Sequence, residues 1–107
     1  MLTITPTELH EQLTTGQAQY TLLDVREDWE TRINHLEGSL FEPMSRVDRS
    51  LGDRIPKDQD VVVICHHGIR SAQVAQWLER NGHPRVFNLS GGIDAWCDYV
   101  DPDLPKY

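Results

Sequence analysis

A cysteine stands between a strand-like run and a helical pattern, a position suited to nucleophilic chemistry. The run Val61–Ile64 consists of four β-branched residues and predicts a strand buried on both faces, and Cys65 follows it directly. A helical pattern begins at about Ser71, so residues 65–71 form a connection that we call the Cys65 loop. Unpaired amides and the dipole at a helix N-terminus stabilise a thiolate or an anionic substrate. We therefore predict that Cys65 is a nucleophile.

Two further residues of the Cys65 loop are suited to holding an anion. Gly68 permits a positive φ, which would turn successive backbone amides inward into an anion-binding nest. Arg70 could bind a sulfonate or phosphate oxygen, or it could form a structural salt bridge with an acidic residue such as Asp24 or Glu27. We favour the anion-binding role for Arg70.

The other loop residues allow more than one interpretation. Ser71 could donate a hydrogen bond to a bound sulfur, but we favour a role in capping the helix. His66 and His67 follow the nucleophile too closely to act as an in-line base, and we expect them to supply partial positive charge near neutral pH. The remaining histidines are scattered, so we expect no metal site. Ile69 completes the loop as a candidate substrate contact.

Composition and charge narrow the functional class. The 107 residues predict one domain over residues 1–107, and a net charge of −7 argues against nucleic acid or an anionic membrane as the main partner. The chain shows no secretory signal and no apolar run of membrane-spanning length. Cys65 and Cys97 form neither a zinc pattern nor a disulfide framework, which favours a reducing cytoplasm, although a 65–97 disulfide stays open. Cys97 is interpreted as a buried structural thiol.

Strand-like and helix-like segments alternate along the chain, which predicts an α/β domain with a small, mostly parallel sheet. Thr5 and Glu8 resemble a capping box, and Leu9 and Leu13 predict the buried stripe of the helix that follows and ends at Gly16. The predicted strands cover residues 20–24, 38–41, 60–65 and 86–89. The predicted helices after the first one cover residues 28–32, 43–51, 71–81 and 93–98. Residues 100–107 are expected to form an irregular strap on the surface.

Three segments should meet at the carboxyl edge of this sheet, where ligands bind in parallel α/β folds. They are residues 24–26, the Cys65 loop and residues 90–92. Asp24 and Arg26 are expected to form an ion pair rather than to take part in catalysis. The two glycines at positions 91 and 92 are expected to allow close packing between the last strand and its helix.

Four ordered segments resemble the signatures of the rhodanese-like family, and together they cover nearly the whole chain. They are LLDVREDWE (22–30), HLEGSLFEPM (35–44), VVVICHHGIRS (61–71) and LSGGIDAW (89–96). The resemblance implies a small, mostly parallel central sheet flanked by helices on both faces. It also implies that Cys65 carries sulfur and that residues 65–70 form the cradle around it. Family members active on thiosulfate often have arginine where this chain has His66, so the donor is left open.

The chemistry implied by this resemblance is sulfur transfer without a cofactor. A Cys65 thiolate would take the outer sulfur of a small anionic donor such as thiosulfate, release sulfite and become a persulfide. The acceptor would be cyanide or a thiol, including that of a thioredoxin-like protein.

Two alternatives compete with this interpretation. Relatives on the same scaffold that act as phosphatases or arsenate reductases have a cysteine-x5-arginine loop, whereas four residues separate Cys65 from Arg70 here. The shorter loop suits a single sulfur atom better than a tetrahedral oxyanion. The second alternative is a non-catalytic rhodanese-like module for sulfur relay or interaction. The intact cysteine argues against a purely non-catalytic role.

Overall fold

The computed structural model describes residues 1–16 and 19–107 and shows an α/β fold built on one five-stranded sheet. The strands are β1 (Leu2–Ile4), β2 (Tyr20–Asp24), β3 (Leu40–Phe41), β4 (Asp60–Ile64) and β5 (Val86–Leu89). The helices are α1 (Pro6–Thr15), α2 (Asp28–Ile33), α3 (Ser50–Arg54), α4 (Ile69–Arg80) and α5 (Gly92–Tyr99). A 3-10 turn covers Met44–Arg46.

The sheet has the order β1-β5-β4-β2-β3, and all of these pairings are parallel. The central strand β4 is in register with β2 through pairs such as Val62 with Leu22, and with β5 through Val63 with Asn88. Because parallel strands point the same way, the segments that follow β2, β4 and β5 emerge at one edge. This confirms the predicted α/β class with a parallel sheet.

Alternating residues of β4 contribute to separate cores on the two faces of the sheet. Val61 and Val63 pack with residues of α3 and α4, whereas Val62 and Ile64 pack with residues of α1 and α5. Helices therefore cover both faces, as predicted, and the β-branched run of β4 is buried on both sides. Cys65 continues the alternation and belongs to the cluster on the α4 face.

Helix α1 shows how the local sequence sets an element's ends. The Thr5 hydroxyl accepts a hydrogen bond from the Glu8 amide (3.2 Å), and the Glu8 carboxylate accepts one from the Thr5 amide (3.0 Å). This is the predicted capping box, with Pro6 at the first helical position and Gly16 at φ +70° after the last one. The prediction that Leu13 is buried is wrong, because its side chain is exposed whereas Leu9 is fully buried.

Three other elements differ from the sequence-based expectation. Strand β1 was not predicted, because three residues are too short for a pattern to show. The helix predicted over residues 43–51 is instead a 3-10 turn followed by the separate helix α3. Helix α4 begins at Ile69 rather than at Ser71, so Ser71 lies inside its first turn and does not cap it. Within the described residues, no helix is both long and apolar enough to cross a bilayer.

Candidate active site

Cys65 directly follows β4, at the carboxyl edge of the sheet and beside the N-terminus of α4. Its side chain is only 1% exposed. The Gly68 amide donates a hydrogen bond to the Cys65 sulfur over 3.0 Å, and the Ser71 hydroxyl oxygen lies 3.2 Å from the same sulfur. Gly68 adopts φ +101°, which a residue with a side chain rarely does, and this conformation turns its amide towards the sulfur. The loop can therefore stabilise negative charge on sulfur.

The Ser71 hydroxyl is positioned by Asn88 on the neighbouring strand β5. It donates to the Asn88 side-chain oxygen, and the Asn88 side-chain nitrogen donates to the Gly68 carbonyl over 3.0 Å. Asn88 thereby bonds both residues, Gly68 and Ser71, that contact the Cys65 sulfur. It was not among the predicted site residues, although a polar residue within the buried run of β5 is a signal that could have identified it.

The Arg70 guanidinium forms a bidentate salt bridge with Glu30 of α2, with nitrogen–oxygen distances of 2.6 and 2.8 Å. The structural partner suggested from the sequence was Asp24 or Glu27, and both suggestions are wrong. The hydrogen bonds from Arg70, with smaller contributions from Tyr107 and the Glu27 amide, lower the pKa of Glu30 from its ordinary value of 4.5 to about 2. The same contact raises the pKa of Arg70. Glu30 was not predicted for the site.

Tyr107 extends the contacts of Glu30 to the end of the surface strap. Its hydroxyl donates to a Glu30 carboxylate oxygen over 2.7 Å and accepts a hydrogen bond from Arg26 over 2.9 Å. Burial and the Glu30 contact raise the pKa of Tyr107 to about 12. Arg26 also forms the expected ion pair with Asp24, and both side chains are fully buried. The strap is thus tied to the buried polar network beside the Cys65 loop.

The two loop histidines are stacked rather than spread around the sulfur. The His66 ring lies 4.0 Å from that of His67 and 4.1 Å from that of Tyr107, measured between ring centres. Burial and the charge of His67 lower the pKa of His66, so its ring is neutral at neutral pH. The expected positive charge from both histidines therefore does not apply to His66.

His66, His67 and Asp94 also bring three potential metal ligands within 4.8 Å of one another. The two imidazole rings are stacked with an inclination of 25°, and the Nε2 atoms of His66 and His67 lie 3.9 and 3.8 Å from the Asp94 carboxylate. The Asp94 carboxylate is also paired with the Lys106 ammonium group, 3.3 Å away. A metal ion would have to displace this cation.

The backbone of the Cys65 loop rests on the N-terminus of α5. The carbonyls of Cys65 and His66 accept hydrogen bonds from the amides of Ile93 (2.9 Å) and Asp94 (3.1 Å). A Cβ atom at Gly92 would overlap both carbonyl groups, so only glycine allows this approach. The close packing expected at Gly92 is therefore a contact with the Cys65 loop as well as a contact between β5 and its helix.

The structure brings the predicted loop residues together but gives them different surroundings. Gly68 and Ser71 touch the sulfur, whereas the Ile69 side chain is 72% exposed and points into solvent. Cys97 is buried on α5, burial raises its pKa, and both it and Cys65 are free thiols. The 65–97 disulfide left open by the sequence is therefore absent.

A cysteine held in this way at the carboxyl edge of a parallel sheet is suited to act as a nucleophile. The chain belongs to the rhodanese-like family, because the family model "Rhodanese-like domain" matches residues 5–99.

Relatives and solved structures agree with this assignment. The chain is 35% identical over 106 residues to the probable adenylyltransferase/sulfurtransferase MoeZ of Mycobacterium tuberculosis, covering 98% of this chain but only 27% of that protein. It is 30% identical to the thiosulfate sulfurtransferase GlpE of Haemophilus influenzae, covering 88% of this chain and 86% of that one. A crystal structure of a rhodanese-like domain protein from Staphylococcus aureus superimposes with a TM-score of 0.83 at 32% identity, covering 94% and 95% of the two chains.

Proposed function

We propose that the protein is a sulfurtransferase that moves sulfane sulfur from a donor to an acceptor through a persulfide on Cys65. The observation that supports this most directly is the environment of the Cys65 sulfur. It receives the Gly68 amide at 3.0 Å and lies 3.2 Å from the Ser71 hydroxyl, at the N-terminus of a twelve-residue helix. The Gly68 amide and the N-terminus of α4 favour a thiolate before the reaction and a persulfide anion after it.

The transfer proceeds in two balanced displacements. The Cys65 thiolate attacks the outer sulfur of thiosulfate, the new S–S bond forms as the old one breaks, and sulfite leaves with the electron pair. A thiolate or cyanide then attacks the terminal sulfur of the persulfide and releases the Cys65 thiolate. The Gly68 amide holds the charged sulfur in both steps, and the order of events gives ping-pong kinetics.

The names of the relatives support the reaction class but leave the physiological substrates open. MoeZ and GlpE are both described as sulfurtransferases, and GlpE as acting on thiosulfate. For this protein we propose a small anionic sulfur donor and a cyanide or thiol acceptor, which includes a thioredoxin-like protein, in the cytoplasm.

Intact mass measurement after incubation with thiosulfate tests this function. We expect the wild type to gain one sulfur atom, about 32 Da, through persulfidation of the thiolate. Cys65→Ser should gain nothing, whereas the matched variant Cys97→Ser should still gain the sulfur, because Cys97 is buried and its pKa is raised. Cyanide should remove the added mass and yield thiocyanate. Hydrolysis of a phosphate ester without any sulfur adduct would contradict the proposal and favour the phosphatase alternative.

A further inference from the structure

The charge of Arg70 is neutralised before any donor arrives. Both terminal nitrogens of its guanidinium are bonded to the two carboxylate oxygens of Glu30, at 2.6 and 2.8 Å. The Glu30 side chain is only 5% exposed, so water does not compete for its charge, and its pKa of about 2 keeps it ionised at neutral pH. The pair beside the Cys65 loop therefore has a net charge of zero.

The neighbouring groups do not replace this missing positive charge. Burial lowers the pKa of His66, which leaves its ring neutral. The Asp94 carboxylate faces His66 and His67 at 3.9 and 3.8 Å and is paired with Lys106. The whole chain has a net charge of −7. A donor with two negative charges would therefore gain little attraction from the side chains around the loop.

We propose that Glu30 is a specificity-determining residue that, by neutralising Arg70, makes the site favour sulfur donors with one negative charge over the thiosulfate dianion. The inference rests on the proposed sulfur-transfer function and specifies its substrate class. Glu30 acts through Arg70 and does not touch the reacting sulfur itself. The backbone amide of Gly68 still holds the transferred sulfur, whichever donor supplies it.

Two donors of nearly equal size allow this idea to be tested. In methanethiosulfonate a methyl group replaces one oxygen of thiosulfate, which lowers the charge from two to one. The Cys65 thiolate attacks the outer sulfur of either donor and becomes the same persulfide. The leaving group takes the electron pair as sulfite from thiosulfate and as methanesulfinate from the other donor. The ratio of kcat/KM for the two donors therefore reports on charge preference.

The decisive variant is Glu30→Gln, which removes the negative charge but keeps a hydrogen-bond acceptor. We expect the ratio of kcat/KM for thiosulfate to that for methanethiosulfonate to rise about tenfold, as expected for one unit charge near a protein surface. Glu27→Gln is the matched control, because Glu27 precedes the same helix and its carboxylate bonds Ser45 instead of Arg70. It should change the ratio by no more than about twofold, because the half-buried Glu27 carboxylate does not neutralise Arg70 and is partly screened by solvent.

A second variant keeps the inference testable if Glu30→Gln does not fold. Arg70→Gln leaves the Glu30 carboxylate uncompensated and should shift the ratio the other way, against thiosulfate, by about tenfold. A general loss of loop structure would lower kcat/KM equally for the two donors and leave their ratio unchanged. Equal ratios in the wild type, Glu30→Gln and Arg70→Gln would overturn the inference while leaving sulfur transfer intact. Failure of both donors to add sulfur to the wild type would overturn the proposed function and the inference together.

Discussion

The orientation of the Ser71 hydroxyl determines whether it donates a hydrogen bond to the Cys65 sulfur or accepts one from it. The Asn88 side-chain nitrogen donates to the Gly68 carbonyl, so the Asn88 oxygen faces Ser71. An amide oxygen only accepts, and the single hydroxyl proton of Ser71 is therefore directed at Asn88. The Ser71 oxygen then presents a lone pair to the Cys65 sulfur, 3.2 Å away. This accommodates the thiol as a donor, and the hydroxyl must rotate to donate to a thiolate or persulfide.

Replacing Asn88 by alanine should weaken both the fold and the reaction. The buried Ser71 hydroxyl and the Gly68 carbonyl would each lose a partner, which should cost about 1–3 kcal/mol of unfolding free energy. Persulfide formation should slow, because both residues that contact the sulfur lose a hydrogen bond to Asn88. Urea unfolding and stopped-flow mixing with the donor measure the two effects. The exposed control Gln76→Ala should stay within about 0.5 kcal/mol of the wild type, and an equal loss in both variants would argue against the role of Asn88.

At the scale of elements, the position of the Cys65 loop depends on the N-terminus of α5. Gly92 lies at φ +62° directly beneath the carbonyls of Cys65 and His66, and the next two amides bond those carbonyls. The amides at a helix N-terminus need acceptors, and here the loop supplies them. The geometry around the sulfur is therefore set by a helix that contributes no side chain to it.

Comparing Gly92→Ala with a second glycine variant should distinguish steric overlap with the Cys65 loop from the backbone strain of a positive φ. A Cβ atom at Gly92 overlaps the backbone of Cys65 and His66, which cannot move aside without displacing the loop, so we expect a loss of more than about 3 kcal/mol. Gly38→Ala is the control, since Gly38 has φ +83° but nothing within 4 Å of its would-be Cβ. It should cost only about 1–2 kcal/mol, the strain of a left-handed residue. Similar thermal stabilities for the two variants would contradict the packing argument.

Local patterns predicted the elements that bear the Cys65 loop but not its partners. The β-branched run of β4 and the caps of α1 depend on neighbours within a few residues, and both predictions are confirmed. Glu30, Asn88 and Tyr107 were missed, because each is far along the chain from the residue that it bonds. Glu30 is 40 residues from Arg70 and Asn88 is 17 residues from Ser71. Tyr107 is 77 residues from Glu30. The break between the 3-10 turn and α3 was missed because no proline or glycine marks residues 47–49.

At the scale of the whole molecule, one polar network joins distant parts of the chain. Glu30 of α2 binds Arg70 of α4 and Tyr107 at the end of the strap, and Tyr107 in turn accepts from Arg26. Because these groups are mostly buried, each must stay paired for the fold to be stable. The network therefore couples global stability to the protonation of Glu30.

Stability should fall in acid as Glu30 takes up a proton. Its pKa is lowered in the folded state, so its contribution is fully present above 4.5, its ordinary value, and is lost as the pH falls towards about 2. The size of the shift corresponds to about 3 kcal/mol at pH 7. Urea unfolding of the wild type and Glu30→Gln should show this difference at pH 7, and the difference should fall to less than half by pH 3. A difference independent of pH would contradict the assignment.

The hydroxyl of Tyr107 should stabilise the molecule independently of its ring. Tyr107→Phe keeps the stacking on His66 but removes the hydrogen bonds to Glu30 and Arg26, which should cost about 1–3 kcal/mol of unfolding free energy. Tyr99→Phe is the matched control, because Tyr99 is 76% exposed, and it should stay within about 0.5 kcal/mol. Thermal unfolding measures both, and equal midpoints would show that the strap's hydroxyl contributes nothing.

The parallel sheet has a practical consequence for producing the protein. Met1 precedes β1 at the amino side of the sheet, where its ammonium group bonds Glu79, whereas Tyr107 lies against His66 at the carboxyl side. An affinity tag or fusion partner joined after Tyr107 would begin beside His66 of the Cys65 loop, where we propose that the acceptor approaches. A tag placed before Met1 would disturb only an exposed ion pair worth about 0–1 kcal/mol. A tag on the N-terminal side therefore leaves the surface around the Cys65 loop uncovered.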